Sequence, residues 1–237
     1  MFKISICLPT KRIYEQDEVY LKECLSSIKS QSYKNFEVCV SDQSEDDSFF
    51  SILEHYANFF EIKYFKNIET IGTPSNTNSA IEMAEGEIIK ILFQDDFFYS
   101  EDALESINNS FKNSDRKWLV SGCNHINQCR ENGFYNFMVP RWNDKILSGV
   151  NTISSPSVLS IRSDVKERLD SNIPHLCDCE YYYSLYCNYG DPIYLDETQI
   201  TNRVHNNSFG ANYYSHINFK ENYEREYNYC KKKYNLV

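Results

Sequence analysis

The amino-acid sequence predicts an α/β fold, a mixed and mostly parallel sheet flanked by helices. Three observations carry that prediction. Short apolar runs alternate along the chain with segments whose apolar residues recur at helical spacing. Strands that alternate with helices are joined by crossovers, so they pair in parallel. The acidic clusters Asp42 and Asp95-Asp96 fall where strands end, and open parallel sheets bind their ligands at the carboxyl ends of their strands.

Each element follows in order. Residues 4–8 form an apolar strand stopped by Pro9-Thr10. Residues 20–31 place apolar side chains at 21, 24, 25 and 28, one face of a helix. A short buried strand at 36–40 runs into the acidic turn at 41–47, a helix is expected over 48–60, and a strand over 62–65. Gly72-Thr73-Pro74 turns the chain into a helix over 76–84, which Gly86 is expected to cap. Residues 88–93 make a strand that is apolar except for Lys90, and Ser100-Glu101-Asp102 opens the next helix. The second half is less regular. It offers strands at 118–123 and 157–161, a long polar excursion over 124–150, and an aromatic helix over 179–189. Phe219, Tyr223, Tyr227, Cys230 and Tyr234 then form a helical stripe in the tail.

Length and composition bound the function. At 237 residues the chain fits one large domain. It divides into a half at 1–110, a second half at 111–207 and a helical tail at 208–237. A net charge of −10 argues against nucleic acid as a partner. No apolar run approaches the ~20 residues of a membrane span. The first eight residues read as a strand and not as a signal peptide. Nine irregularly spaced cysteines read as reduced thiols, so the expected location is cytoplasmic. The Lys231-Lys232-Lys233 run ends a helix, where it complements the macrodipole. It also admits peripheral contact with the inner face of a membrane. Nineteen tyrosines reflect base composition or an aromatic sugar site, with Trp118, Trp142 and Tyr181 to Tyr183 as stacking candidates.

The carboxylates carry the chemistry. Adjacent acids at a strand end repel each other unless a cation or basic group relieves them. Asp95-Asp96 lie several residues too early to cap the helix that follows. Asp178 stands at a helix start, where a cap and a catalytic base are both possible.

The ordered set of segments resembles the family 2 glycosyltransferases of the GT-A, Rossmann-like fold, over about residues 2–210. It runs through 4–10, 20–28, 31–38 and Ser41-Asp42, then Gln94-Asp95-Asp96. The resemblance implies an inverting transfer of a sugar from a nucleotide-diphosphate donor, UDP-sugar first among them. The acceptor would be a hydroxyl of a glycan or lipid-linked glycan. It places Pro9, Thr10 and Asp42 at the base and ribose. Asn76 or Asn78 lies beside the nucleotide, and Asp95 and Asp96 hold Mn²⁺ or Mg²⁺ against the diphosphate. The stretch 175–181 resembles the family's acidic motif, with Asp178 as base and Glu180 as runner-up. The stretch 202–208 resembles its Arg-x-His segment, with His205 completing the metal shell and Arg203 facing the diphosphate. Residues 153–159 resemble the stretch lining the donor-sugar and acceptor side. Three positions depart from the pattern: Phe93 and Cys177 stand where acids are common, and Thr77 where arginine is.

Two rivals remain. A non-catalytic nucleotide-sugar or glycan-binding protein on the same fold is favoured by Phe93 and Cys177. Another Rossmann-like enzyme, a dehydrogenase or nucleotidyltransferase, is the second. No Gly-x-Gly-x-x-Gly follows the first strand, which counts against the dehydrogenase.

Overall fold

The structure, a computed structural model, describes residues 1–68, 72–131, 133–206, 208 and 218–236. Its strands are β1 (Ile4–Thr10), β2 (Phe36–Asp42), β3 (Ile62–Lys66), β4 (Ile88–Ile91), β5 (Phe97–Phe98), β6 (Trp118–Asn127), β7 (Phe134–Met138), β8 (Leu159–Arg162) and β9 (Ile193–Val204). Its helices are α1 (Gln16–Lys29), α2 (Ser48–Tyr56), α3 (Thr73–Glu82), α4 (Ala103–Lys112), α5 (Cys177–Tyr189) and α6 (Phe219–Lys233). Among the described residues, all the strands join one sheet in the order β3-β2-β1-β4-β8-β6-β9-β5, with β7 paired to β6. The first four pair in parallel, and β8 runs antiparallel between β4 and β6.

Strand order 3-2-1-4 puts a reversal between β1 and β4, because the chain leaves β1 in one direction and returns to its other side after β3. A crevice opens at such a switch point. Both strands are buried and mostly apolar: Ile4, Ile6, Cys7, Leu8, Ile88 and Ile91 are inaccessible to water, with Ser5 and Lys90 the buried polar exceptions in their middles. α1 covers this region with Tyr20, Leu21, Cys24, Leu25 and Ile28.

Several sequence expectations change. α3 begins at Thr73, three residues early, because Gly72 (φ +92°) turns the chain and Pro74 is at ease in a first helical turn. Gly86 is not its cap. An added Cβ there would lie 2.5 Å from the carbonyl oxygen of Lys3, so the glycine permits β1 to approach. β4 stops at Ile91 and not at 93, since the Phe93 N–H is taken by Ser157 Oγ at 3.0 Å. The expected polar excursion at 124–150 contains the end of β6 and all of β7. No strand was expected over 193–204, where β9 pairs in parallel with β6.

Trp118 is fully buried and stacks on Tyr182, while Trp142 stacks on Tyr186 at 3.8 Å, so both serve packing. Among the described residues, no helix is long and apolar enough to cross a membrane. In the tail, Lys233 is engaged inside the molecule, by Asp170 at 2.7 Å and Glu180 at 2.8 Å. Asn207, residues 209–217 and Val237 lie outside the described residues.

Candidate active site

The site forms along the carboxyl ends of β1, β2 and β4. Thr10, the last residue of β1, donates from Oγ1 to Asp42 Oδ1 at 3.1 Å. Asp42, at the end of β2, is fully buried. It also accepts from the Ser44 N–H at 3.0 Å, Tyr64 OH at 3.0 Å and Lys66 Nζ at 3.3 Å. Burial, followed by the Asp42 charge, pushes the Tyr64 phenol up. Asn76 donates to the Thr10 carbonyl at 3.0 Å and accepts from Ser41 Oγ at 2.7 Å, so α3 locks the ends of β1 and β2 together. Pro9 pairs in register with Ser41, completing a floor of Pro9, Thr10, Asp42 and Asn76. Gln94 closes the switch point. Its side chain accepts from the Lys11 N–H at 2.7 Å and donates to the Lys11 carbonyl at 2.9 Å.

Beyond Gln94 the chain turns, with the Asp96 N–H on the Phe93 carbonyl at 3.1 Å. That turn aims Asp95 and Asp96 at the end of β9. Asp95 Oδ2 lies 3.1 Å from His205 Nε2. Asp96 Oδ1 accepts the Arg203 N–H at 2.9 Å, and the Arg203 guanidinium donates to the Asp95 carbonyl at 3.0 Å. Arg203 is buried, stacked over Tyr20 at 4.4 Å and paired with Glu23 at 2.5 Å. Burial, and after it the charge of Asp95, pushes the Asp96 carboxyl up to about 7. Adjacent acids, one of them buried, resist carrying two charges, which is the condition a cation relieves.

Beneath them lies Lys90, the one polar residue of β4. It is fully buried and donates to the carbonyls of Ser157 and, at 3.4 Å, Leu159. Burial brings its ammonium down to about 7, with the charge of Asp96 pulling the other way.

Asp178 stands on the first turn of α5, half-buried. Its Oδ2 accepts from Asn151 Nδ2 at 2.8 Å and its Oδ1 from the Cys179 N–H at 2.7 Å. Burial pushes its carboxyl above the ordinary range against those hydrogen bonds. A polar chain connects it to the paired acids. Asn151 Nδ2 also donates to the Ser154 carbonyl at 3.0 Å, and Ser154 Oγ accepts from Asn202 at 2.8 Å. Asn202 in turn accepts from Ser155 Oγ at 2.9 Å, and Ser155 Oγ lies 3.4 Å from Asp96 Oδ2. Ser154 holds φ +108°, a conformation costly for any residue with a Cβ. Asn151 pins it there by accepting the Ser154 N–H at 2.9 Å.

Two candidates are engaged elsewhere. Asn78 gives both ends of its amide to the Leu169 main chain, at 2.8 and 3.1 Å. Glu180 is fully buried against the tail, where Tyr234 OH donates to it. The departures Phe93 and Cys177 are both absorbed by the core. Asn151, Ser154 and Asn202 were not singled out as site residues from the sequence. Asn202 and Ser154 lay inside stretches already singled out, and an asparagine or serine there reads as an ordinary loop residue.

Open, mostly parallel sheets bind ligands at the carboxyl ends of their strands, and here that edge carries the paired acids near the switch point, with a further acid on a following helix. The sequence comparison gives the family. The model of glycosyl transferase family 2 matches residues 5–156, and the chain belongs to that family.

Among curated relatives, a poly(ribitol-phosphate) beta-glucosyltransferase of Bacillus spizizenii is 33% identical over 116 residues, 47% of this chain and 18% of its own length. A GalNAc(5)-diNAcBac-PP-undecaprenol beta-1,3-glucosyltransferase of Campylobacter jejuni is 32% identical over 98 residues, 40% of this chain and 30% of its own length. The chain thus spans less than a third of the length of these relatives. In fold it is similar to S. aureus TarS 1-349 in complex with UDP-GlcNAc, with a TM-score of 0.72 at 20% identity over 94% of this chain and 66% of that one. It is also similar to a mannosyltransferase from Pyrobaculum calidifontis in complex with GDP-Man and Mn²⁺, with a TM-score of 0.63 at 16% identity over 90% of this chain and 60% of that one.

Proposed function

We propose that the chain transfers a sugar from a UDP-sugar to a hydroxyl of a glycan or lipid-linked glycan, in one in-line displacement with inversion. The observation that carries this reading is the convergence of Asp95, Asp96, Arg203 and His205 beside the β1–β4 crevice, with Asp178 joined to them by the polar chain through Asn151, Asn202 and Ser155. The relatives act as glucosyltransferases, and TarS was solved with UDP-GlcNAc. These favour a UDP donor.

The donor set suits a divalent cation. Among the described residues, no three His, Cys, Asp or Glu side chains converge on one point. Asp95 and His205 do face each other, with Asp96 behind. Mg²⁺ in particular is commonly held by one or two carboxylates plus substrate phosphates, so Asp95 and His205 would hold Mn²⁺ or Mg²⁺ with the diphosphate supplying the remaining oxygens. A cation held there would supply positive charge that stabilises the departing diphosphate.

The protein's own residues do the rest. Pro9, Thr10, Asp42 and Asn76 form the floor for base and ribose. Arg203 holds both acids through its main-chain N–H and its guanidinium, and reaches the diphosphate by exchanging Glu23 for phosphate. Asp178 takes the acceptor proton at Oδ1 or Oδ2 as the hydroxyl attacks. Its upward displacement by burial brings it closer to the range in which a base accepts a proton near neutral pH. Asn151 fixes the carboxylate plane, so attack begins from an aligned geometry.

A thermal-shift panel of UDP, GDP, dTDP, NAD and their sugar conjugates, with Mn²⁺ and with EDTA, tests the reading. UDP ligands should shift the melting temperature most, and EDTA should abolish the shift. Preference for NAD, or no nucleotide shift at all, overturns it. Mn²⁺-dependent binding without UDP release into water or added glycan would mark the non-catalytic binder.

A further inference from the structure

We infer that the C-terminal helix α6 is a positioning device for Asp178, with Glu226 its central residue. The inference rests on the reading of Asp178 as the base. α6 lies outside residues 5–156, the stretch the family model matches.

α5 begins without a cap of its own. Leu176 occupies the N-cap position, and no side chain there accepts a hydrogen bond. Helix starts leave N–H groups that need acceptors from elsewhere. Glu226 reaches across from α6 to the entry of that helix. Its Oε2 accepts the N–H groups of His175 and Leu176, each at 3.0 Å, and its Oε1 lies 2.5 Å from His175 Nδ1. Glu226 is 1% exposed on a helix that buries only one other residue, Cys230. A carboxylate is stable in such a place only where donors meet it, so its bonds fix the register between α6 and α5.

The rest of the stripe grips both arms of the Asn151–Asp178 pair. Tyr223 OH donates to the Ser148 carbonyl at 2.9 Å, three residues before Asn151. Cys230 packs with Leu147 and Ile173, one on each arm. Lys233 and Tyr234 close on Glu180, two residues after Asp178. Positions 223, 226, 230, 233 and 234 repeat at helical spacing and share one face. Gly149 (φ +80°) marks the junction, where an added Cβ would stand 3.4 Å from Leu176 and 3.6 Å from Tyr223.

The hydrogen bond from Asn151 to Asp178 thus joins two segments that α6 holds in register. Glu226 touches neither substrate nor reacting atoms. It acts through the α5 entry, as a positioning residue.

The test uses the full chain with Glu226→Ala, Glu226→Gln, Asp178→Asn and the double variant Asp178→Asn with Glu226→Ala. UDP release from UDP-glucose and UDP-GlcNAc in Mn²⁺ is measured beside amide hydrogen exchange. Glu226→Ala should lower kcat about 10- to 100-fold, the scale of a misplaced reacting group, with donor KM nearly unchanged. Glu226→Gln retains an acceptor oxygen and should recover most of the loss. The double variant should be no slower than Asp178→Asn alone.

Exchange over residues 175–180 should quicken about tenfold in Glu226→Ala while β1 to β4 keep their protection. A folded Glu226→Ala with normal kcat beside an impaired Asp178→Asn overturns the positioning role. Unchanged exchange over 175–180 overturns the clamp whatever the turnover. Normal turnover in Asp178→Asn instead overturns the base assignment, and exchange then judges the clamp by itself.

Discussion

The first half of the chain, residues 1–110, and the second, 111–207, hold their acids by different means. Asp42 ends β2, and Asp95 and Asp96 follow the end of β4, so the two strands that flank β1 and pair with it in parallel bring these acids to one edge of the sheet. Asp178 stands on a helix with no cap of its own, held by an asparagine from a loop and by a helix from the end of the chain. A ladder is local and periodic, so its products can be read from sequence. A clamp is assembled from residues tens of positions apart, here 151, 178 and 226. The two halves should therefore fail differently when damaged.

The largest expected effect falls on the second half. Asp178→Asn keeps the side chain's shape but cannot accept a proton at neutral pH, and turnover should drop about 10²–10⁴-fold. Donor affinity should stay within experimental error. Near-normal turnover would reduce Asp178 to a cap, and its replacement would then cost ~0.5–2 kcal/mol of stability with little else.

Acid should strike the other half. Glu37 lies on β2 at the end opposite Asp42, fully buried, accepting from Ser5 Oγ at 2.6 Å and the Glu85 N–H at 2.8 Å. It pairs with Lys3 and, at 3.0 Å, with Lys63. Burial pushes its carboxyl up, but the Lys3, Ser5, Glu85 and Lys63 hydrogen bonds outweigh that and bring it down to about 2 from 4.5. A folded-state value below the unfolded one stabilises at pH above the unfolded value, and that stability is lost as pH falls through the folded value. Glu37 therefore contributes on the order of 3 kcal/mol at neutral pH, lost between about pH 4.5 and pH 2. Urea titrations across that window should show a steeper acid loss in wild type than in Glu37→Gln. Equal slopes would remove Glu37 from the account.

What was legible follows the same division. β1, β2 and β4 were readable because each is a short, mostly apolar run, and Asp42 came with β2 and Asp95-Asp96 with β4. β9 was not, because its middle, Asp196-Glu197-Thr198-Gln199, reads as loop. It pairs with β6 through bulges near Gly122, where an added Cβ would meet the Asp196 carbonyl at 2.6 Å. The expected position of Arg203 and His205 came from family resemblance, while the strand that delivers them stayed hidden. Glu226 looked like one more acid on an exposed helix, since nothing local shows that it meets two N–H groups some 50 residues away.

A smaller effect separates the paired acids. Asp95→Asn should weaken Mn²⁺-dependent UDP binding by at least about tenfold, or ~1.4 kcal/mol, with little change in Tm, because its side chain is partly exposed. Asp96→Asn should do the same and also lower Tm, since Asp96 is buried and holds the Arg203 N–H. Calorimetric titration with UDP, with and without Mn²⁺, reads both. Wild-type affinity in both variants would dismiss the metal assignment.

The smallest expected effect on nucleotide binding lies between the halves, at Asn78. Sequence resemblance put Asn76 and Asn78 beside the nucleotide as alternatives, and their partners separate them. Asn76 ties Thr10 to Ser41 within the first half. Asn78 spends its amide on the main chain of Leu169, across the boundary. Asn78→Ala therefore strips partners from a buried main-chain N–H and C=O, which typically costs about 1–3 kcal/mol. At this chain length that corresponds to a Tm lower by roughly 2–4 °C per kcal/mol. UDP affinity should be unchanged. Asn76→Ala should instead loosen the floor under the base and weaken UDP binding. If Asn78→Ala lost UDP affinity while keeping its Tm, the boundary between the halves would have to move, and α3 would face the nucleotide with its other asparagine as well.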